Sequence, residues 1–107
     1  MKGKIYIDNI EIGHAIFNVT DASMGGISGE LIPNENYNSY RERIQNLTIS
    51  KGIANNEDFE LRIVINDELE INPFGGIGIT DLEEFDEIII ESVGIENQVI
   101  EKIKNAL

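Results

Sequence analysis

Isoleucine sets the pattern of this chain. Ile5 and Ile7 alternate with Lys4, Tyr6 and Asp8, and Ile10 and Ile12 alternate with Glu11 and Gly13. Such period-two alternation belongs to half-buried strands. A two-residue turn at Asp8-Asn9, both of which tolerate positive φ, sets Ile7 against Ile10 and Ile5 against Ile12. Lys4 to Asn18 therefore reads as a hairpin whose four isoleucines share one face. The second strand runs on through His14 to Val19, with Gly13 marking a bulge or bend.

From Ala22 to Gly29 the glycines are too dense for a well-packed strand interior, so this stretch reads as an irregular crossing into a short strand, Gly29 to Ile32. Pro33, which cannot donate to a ladder, ends that strand. Asn34 is the expected N-cap of a helix, with Glu35 in its first turn. Tyr37, Tyr40, Ile44 and Leu47 then recur at steps of three and four and form one apolar stripe. Arg41, Glu42, Arg43 and Gln45 cover the other faces, and Lys51-Gly52 supplies the end.

Ile53 to Asp58 reads as a polar linker. A second hairpin follows, in which Leu61, Ile63 and Ile65 alternate outward and Leu69 and Ile71 alternate back. A three-residue loop, Asn66-Asp67-Glu68, sets Ile65 opposite Leu69 and Ile63 opposite Ile71, whereas a two-residue loop would set apolar against charged. Pro73 to Gly78 is a glycine turn, Ile79 opens a further short strand, and Asp81 to Glu84 is an acidic loop or single helical turn. Phe85 to Val93 is a strand in which the run Ile88-Ile89-Ile90 predicts burial on both faces. Gly94 breaks it. A tail helix starts at Glu96 or Asn97, with Val99, Ile100, Ile103 and Leu107 on its buried stripe.

The expected fold is α+β: a mostly antiparallel sheet or half-open barrel of about six strands, with one amphipathic helix packed on it and a C-terminal helix. A ferredoxin-like order is excluded, because no helix follows the first strand. The 107 residues suit one domain, 1–107, and an apolar content of 41% suffices for a core.

Composition narrows the function classes. A formal charge of −12 argues against sequence-independent binding to DNA, RNA or an anionic membrane, and favours basic partners or high solubility. With no cysteine, a disulfide framework, a thiolate metal site and a cysteine nucleophile are excluded. The apolar run at Ile5-Tyr6-Ile7 is too short for a signal peptide and no run is long enough to span a bilayer, so a cytoplasmic location is expected. Without a secretion signal, the glycosylation sequon at Asn46-Leu47-Thr48 has no consequence.

Candidate chemistry is sparse. Gly25-Gly26-Ile27-Ser28-Gly29 lacks the Lys-Ser/Thr ending of a P-loop, and neither it nor Gly75-Gly76-Ile77-Gly78 matches the dinucleotide fingerprint. These glycines read first as turns or close backbone approaches; Gly25, Gly26, Gly75 and Gly76 are also candidate binding loops at one end of the sheet. Ser23, His14 and Asp21 assemble a hydrolytic triad only on paper, because Ser23 is not in a nucleophile elbow. Asp81, Glu83, Glu84, Asp86, Glu87 and Glu91 form the sharpest charge feature, with no Lys or Arg between Arg62 and Lys102. They lack calcium-loop spacing. The bland reading of this run is a solvated face, and the sharper one is a surface complementary to a basic partner. If the two glycine loops lie side by side, they bracket one end of the domain, and the acidic run begins there. Arg41, Arg43 and Lys51 gather on the first helix, and Lys102 and Lys104 on the tail.

The resulting expectation is a non-enzymatic binding protein that needs no cofactor and no metal. It is an inhibitor or immunity-type protein, as in a toxin–antitoxin pair, that neutralises a toxin or nuclease by presenting the acidic run to a basic cleft. Its partner is a basic protein such as a toxin, with no nucleic acid and no membrane, and self-association into a homo-oligomer stays open. The alternatives are a small-molecule-binding or sequestering domain with its pocket at the glycine loops, or a phage-encoded inhibitor of a host defence.

Overall fold

The computed structural model describes residues 1–105. In chain order the elements are β1 (Lys2–Ile7), β2 (Ile10–Asp21), β3 (Gly26–Pro33), a 3₁₀ turn (Glu35–Ser39), α1 (Arg41–Lys51), β4 (Ala54–Asn55), β5 (Leu61–Ile65), β6 (Leu69–Glu70), β7 (Ile77–Asp81), β8 (Ile88–Ser92) and α2 (Asn97–Asn105). The strands form one antiparallel sheet in the order β4-β7-β8-β3-β2-β1-β5-β6. This is the α+β antiparallel half-barrel read from the sequence, with eight strands in place of about six. Two of them, β4 and β6, are two-residue ladders, and β4 lies in the stretch expected to be linker.

The first hairpin turns at Asp8 (φ 51°) and Asn9 (φ 69°), the two positive-φ positions of a type I′ turn. Ile7 pairs with Ile10 as expected, but Tyr6 pairs with Glu11 and Ile5 with Gly13, so the Ile5–Ile12 pairing is not found. Ile12 is the extra residue of a β-bulge, and Gly13 beside it adopts φ 150°. The bulge shifts the phase of the strand: Ile12 faces inward before it, Ala15 and Phe17 after it. Ile10, first after the turn, stays 44% exposed, so three of the four isoleucines reach the core.

The glycine crossing is in fact part of a long hairpin. Only Ala22–Gly25 make the connection, and Gly26 already pairs with Asp21. Pairing to β2 along the whole of β3, and to β8 as well from Ile27 to Glu30, holds Gly26 and Gly29 extended against their propensity. The second hairpin matches the expected register, with Ile65 opposite Leu69 across Asn66-Asp67-Glu68 and the Ile71 N–H bonded to the Ile63 carbonyl at 3.1 Å. On β8, Ile88 and Ile90 are buried while Ile89 is half-buried, so this strand shows one face to the core and not two.

The second strand from each end of the sheet, β7 and β5, is tied to the other through Asn56. Asn56 accepts from the Ile77 N–H at 2.7 Å and donates to the Leu61 carbonyl at 3.3 Å, bridging β7 to β5. Inside lie Ile5, Ile7, Ile12, Phe17, Ile63, Ile65, Ile79 and Ile90, each at most 1% exposed. Asn34 caps the 3₁₀ turn by accepting from the Asn36 N–H at 2.9 Å, and the chain then enters α1, which ends at Gly52 with φ 90°. The helix expected from Asn34 onward is therefore a 3₁₀ turn followed by an α-helix. Of its stripe, Tyr37 and Ile44 are fully buried, and Tyr40 and Leu47 are half-buried. Ile100 and Ile103 of α2 are also fully buried, each contributing roughly 2 kcal/mol to docking; Leu107 lies outside the described residues.

Two predictions follow from the bulge and from the ties of α1. A Cβ at Gly13 would fall 2.2 Å from the Ile32 carbonyl oxygen, at a φ that side chains rarely adopt. Gly13→Ala is expected to lower stability by about 1–3 kcal/mol, measured as the urea midpoint. Lys51 binds Asp58 at 2.8 Å, and Asp58 also accepts from the Asn55 N–H at 2.9 Å. The Lys51 contact first, then that N–H, holds the Asp58 carboxyl below its ordinary 3.8. A depressed folded-state pKa stabilises the fold above the unfolded value and loses that contribution as pH falls through the folded one. The charge-dependent stability difference between the wild type and Asp58→Asn should be full at neutral pH, begin to shrink as pH falls toward 3.8, and be lost only below the depressed folded value.

Candidate functional site

The acidic run divides into three parts in the fold. Asp81, at the end of β7, is 2% exposed. Glu83, Glu84, Asp86 and Glu87 are exposed in the loop 82–87 that joins β7 to β8, and Glu91 is exposed on β8. Asp81 therefore does not present its carboxylate to a partner. It is committed to α1.

Four side chains of the helical segment converge on it. The Tyr37 hydroxyl donates to Asp81 Oδ2 at 2.7 Å, Gln45 Nε2 donates to Oδ1 at 3.3 Å, and Arg41 Nη1 stands 3.7 Å from Oδ2. The Asp81 N–H donates to Thr48 Oγ1 at 3.2 Å, and that hydroxyl in turn donates to the Ile44 carbonyl at 2.8 Å. Residues 37, 41, 45 and 48 are spaced by four, four and three, so they form a second stripe along the helical segment, polar and beside the apolar one. The Arg41 guanidinium also lies 4.9 Å from the Tyr37 ring centroid. Burial, reinforced by the Asp81 carboxylate, pushes the Tyr37 phenol far above its ordinary value, which keeps its proton in the bond. Among the described residues no buried side-chain nitrogen or oxygen lacks a hydrogen-bond partner. A buried carboxylate is tolerated only on such terms.

Beyond this anchor, the loop turns with the Phe85 N–H bonded to the Leu82 carbonyl at 2.9 Å. Phe85 is 61% exposed, and Ile49 on α1 is 72% exposed. Ile49, Leu82, Glu83 and Glu84 line a shallow depression of about 430 Å³. No ion pair involves Glu83, Glu84, Asp86 or Glu87 among the described residues. The site thus combines two exposed apolar side chains with four free carboxylates on a loop pinned at its base.

The glycine loops lie at the other end of the sheet. β7 begins beside Gly75-Gly76 and runs away from them to Asp81, so five strand residues, roughly 15–20 Å, separate them from the acidic loop. The acidic run therefore does not begin at the glycine turns, as expected; of its members only Glu91 lies beside Gly75 and Gly76. Gly25 and Gly75 flank the segment 93–95: the Ile95 N–H donates to the Gly25 carbonyl at 3.1 Å, and the Gly75 N–H donates to the Val93 carbonyl at 2.9 Å. Gly26 opens β3, and Gly76, with φ 82°, precedes β7.

The remaining candidates separate. Ser23 donates to Asp21 at 2.7 Å in the exposed β2–β3 turn, while His14 lies seven residues back along β2, roughly 20 Å away, so no triad forms. Among the described residues, no three His, Cys, Asp or Glu side chains are grouped as they would be around a metal ion. No helix among them is long and apolar enough to cross a membrane. Phe85 and Ile49 escaped sequence reasoning, although Phe85 stands among four acids with no apolar residue at strand spacing on its N-terminal side.

Truncation of Asp81 tests the anchor. Asp81→Ala leaves the Tyr37 hydroxyl and the Gln45 amide without their acceptor and is expected to cost about 2–4 kcal/mol in chemical denaturation, whereas Glu84→Gln should stay within about 0.5 kcal/mol. Comparison with protein-family models, curated proteins and solved structures finds no match to this chain.

Proposed function

We propose that this chain acts by binding, without chemistry of its own, and that it engages a basic protein through the loop 82–87. In this reading it is an inhibitor or immunity-type protein that occludes the basic cleft of a toxin or nuclease. The observation that carries it is the exposed Phe85 set among Glu83, Glu84, Asp86 and Glu87, none of them neutralised by an ion pair among the described residues. An exposed aromatic anchor with a charged rim has the anatomy of an interface: the ring supplies burial, and the carboxylates supply steering and register. The net charge of −12 extends the attraction to a basic partner and repels nucleic acid.

Asp81 keeps a structural role in this reading. Its clamp fixes where β7 ends and thus where the loop starts. The small-molecule alternative has less support, because the depression beside Gly75 and Gly76 is about 280 Å³, at the small end for a ligand pocket.

A titration decides between electrostatic and other modes. With a candidate basic toxin or nuclease, taken first from the product of the adjacent gene, Kd should weaken at least about tenfold when salt rises from about 50 to about 500 mM. The Glu83→Lys/Glu84→Lys double variant should slow association. Binding that ignores salt and both substitutions would contradict the proposal.

A further inference from the structure

At the glycine end of the sheet three apolar side chains stand in solvent. Phe74 is 99% exposed, Met24 63% and Val93 49%. They come from three separate segments that meet around Gly94. The Gly94 N–H donates to the Met24 carbonyl at 2.9 Å, the Phe74 N–H donates to the Gly94 carbonyl at 2.9 Å, and the Gly75 N–H to the Val93 carbonyl at 2.9 Å. Gly94 adopts φ 84°, and a Cβ there would lie 2.7 Å from the Gly75 nitrogen and 2.9 Å from the Phe74 Cβ, so a side chain would push the segments apart. Backbone hydrogen bonds therefore hold together the segments that carry these three side chains.

Carboxylates flank it. Asp21 accepts from the Met24 N–H at 3.1 Å, Glu91 lines one depression with Gly75 and Val93, and Glu96 follows Gly94 by two residues. None of these three takes part in an ion pair among the described residues. Exposed apolar side chains gathered within a polar rim mark an interaction site, and the sign of the rim selects what covers it. An anionic lipid surface is repelled by this rim and by the net charge of −12.

We propose that this pole is a second docking site, which takes a basic amphipathic helix of a protein partner. The apolar face of that helix rests on Phe74, Met24 and Val93, and its lysines or arginines pair with Asp21, Glu91 and Glu96. Methionine adapts to irregular apolar surfaces and an exposed phenylalanine gives a stiff anchor, the combination that helix-in-groove recognition uses. The site lies at the opposite end of β7 from the loop 82–87, so the two are separable and can be filled together. It does not depend on the function proposed for that loop.

The test is a ¹⁵N NMR titration of the full chain with a synthetic leucine–lysine amphipathic helix of about 14 residues. Shifts should centre on Met24, Phe74 to Gly76 and Val93 to Ile95. Kd should weaken at least about tenfold in Phe74→Ala and change less than about twofold in Phe85→Ala. Phe74 is almost wholly exposed, so its truncation leaves the fold intact. No binding, shifts centred on 82–87, or an unchanged affinity in Phe74→Ala would each overturn the proposal. So would Phe74-dependent flotation with phosphatidylcholine or phosphatidylserine vesicles, which would assign the patch to a membrane.

Discussion

A buried carboxylate locks the helical segment to the end of β7. Asp81 ends β7 and receives hydrogen bonds from Tyr37 and Gln45, with the Arg41 guanidinium close by. Its own N–H is held by Thr48. Ile44 beside them supplies apolar burial, but apolar contact is non-directional and leaves the helix free to rotate or slide on the sheet. The polar stripe removes that freedom, since each donor reaches Asp81 only in one register. The cost of burying the charge is offset only while all partners are present, and breaking such a set is therefore far more damaging than its net contribution suggests.

The dependence reaches the surface. Leu82 follows Asp81 directly, so the loop that carries Glu83, Glu84, Phe85, Asp86 and Glu87 starts from a fixed point. At the far end of the same strand, a different device does the same work. There, backbone hydrogen bonds around Gly94 join the segments that carry Met24, Phe74 and Val93. The domain thus carries two exposed ends, each an apolar element within an acidic surround, on a sheet whose core is mostly isoleucine.

Much of the fold was legible because period-two alternation and turn chemistry agreed. The loop at Asn66-Asp67-Glu68 was fixed by the requirement that Ile65 face Leu69, and the Asp8-Asn9 turn by its tolerance of positive φ. The bulge at Ile12-Gly13 was legible as a place but not as a register, since one extra residue changes which isoleucine is opposed without changing the pattern. Gly26 to Gly29 misled for the opposite reason: local propensity spoke against a strand that two neighbouring strands impose. β4 left no trace, because two residues carry no period.

The candidate site was legible in outline only. A run of acids gives no indication of which member turns inward, and Asp81 became distinguishable only when residues 37, 41, 45 and 48 were seen along one face of the helical segment. The most direct measurement is amide hydrogen exchange in Tyr37→Phe, which removes one hydroxyl donor and nothing else. If Asp81 couples helix to loop, the amides of Asp81, bonded to Thr48, and of Phe85, bonded to Leu82, should exchange about tenfold faster together with that of Ile44 in α1. Faster exchange confined to the neighbours of residue 37, with Asp81 and Phe85 unchanged, would contradict the account.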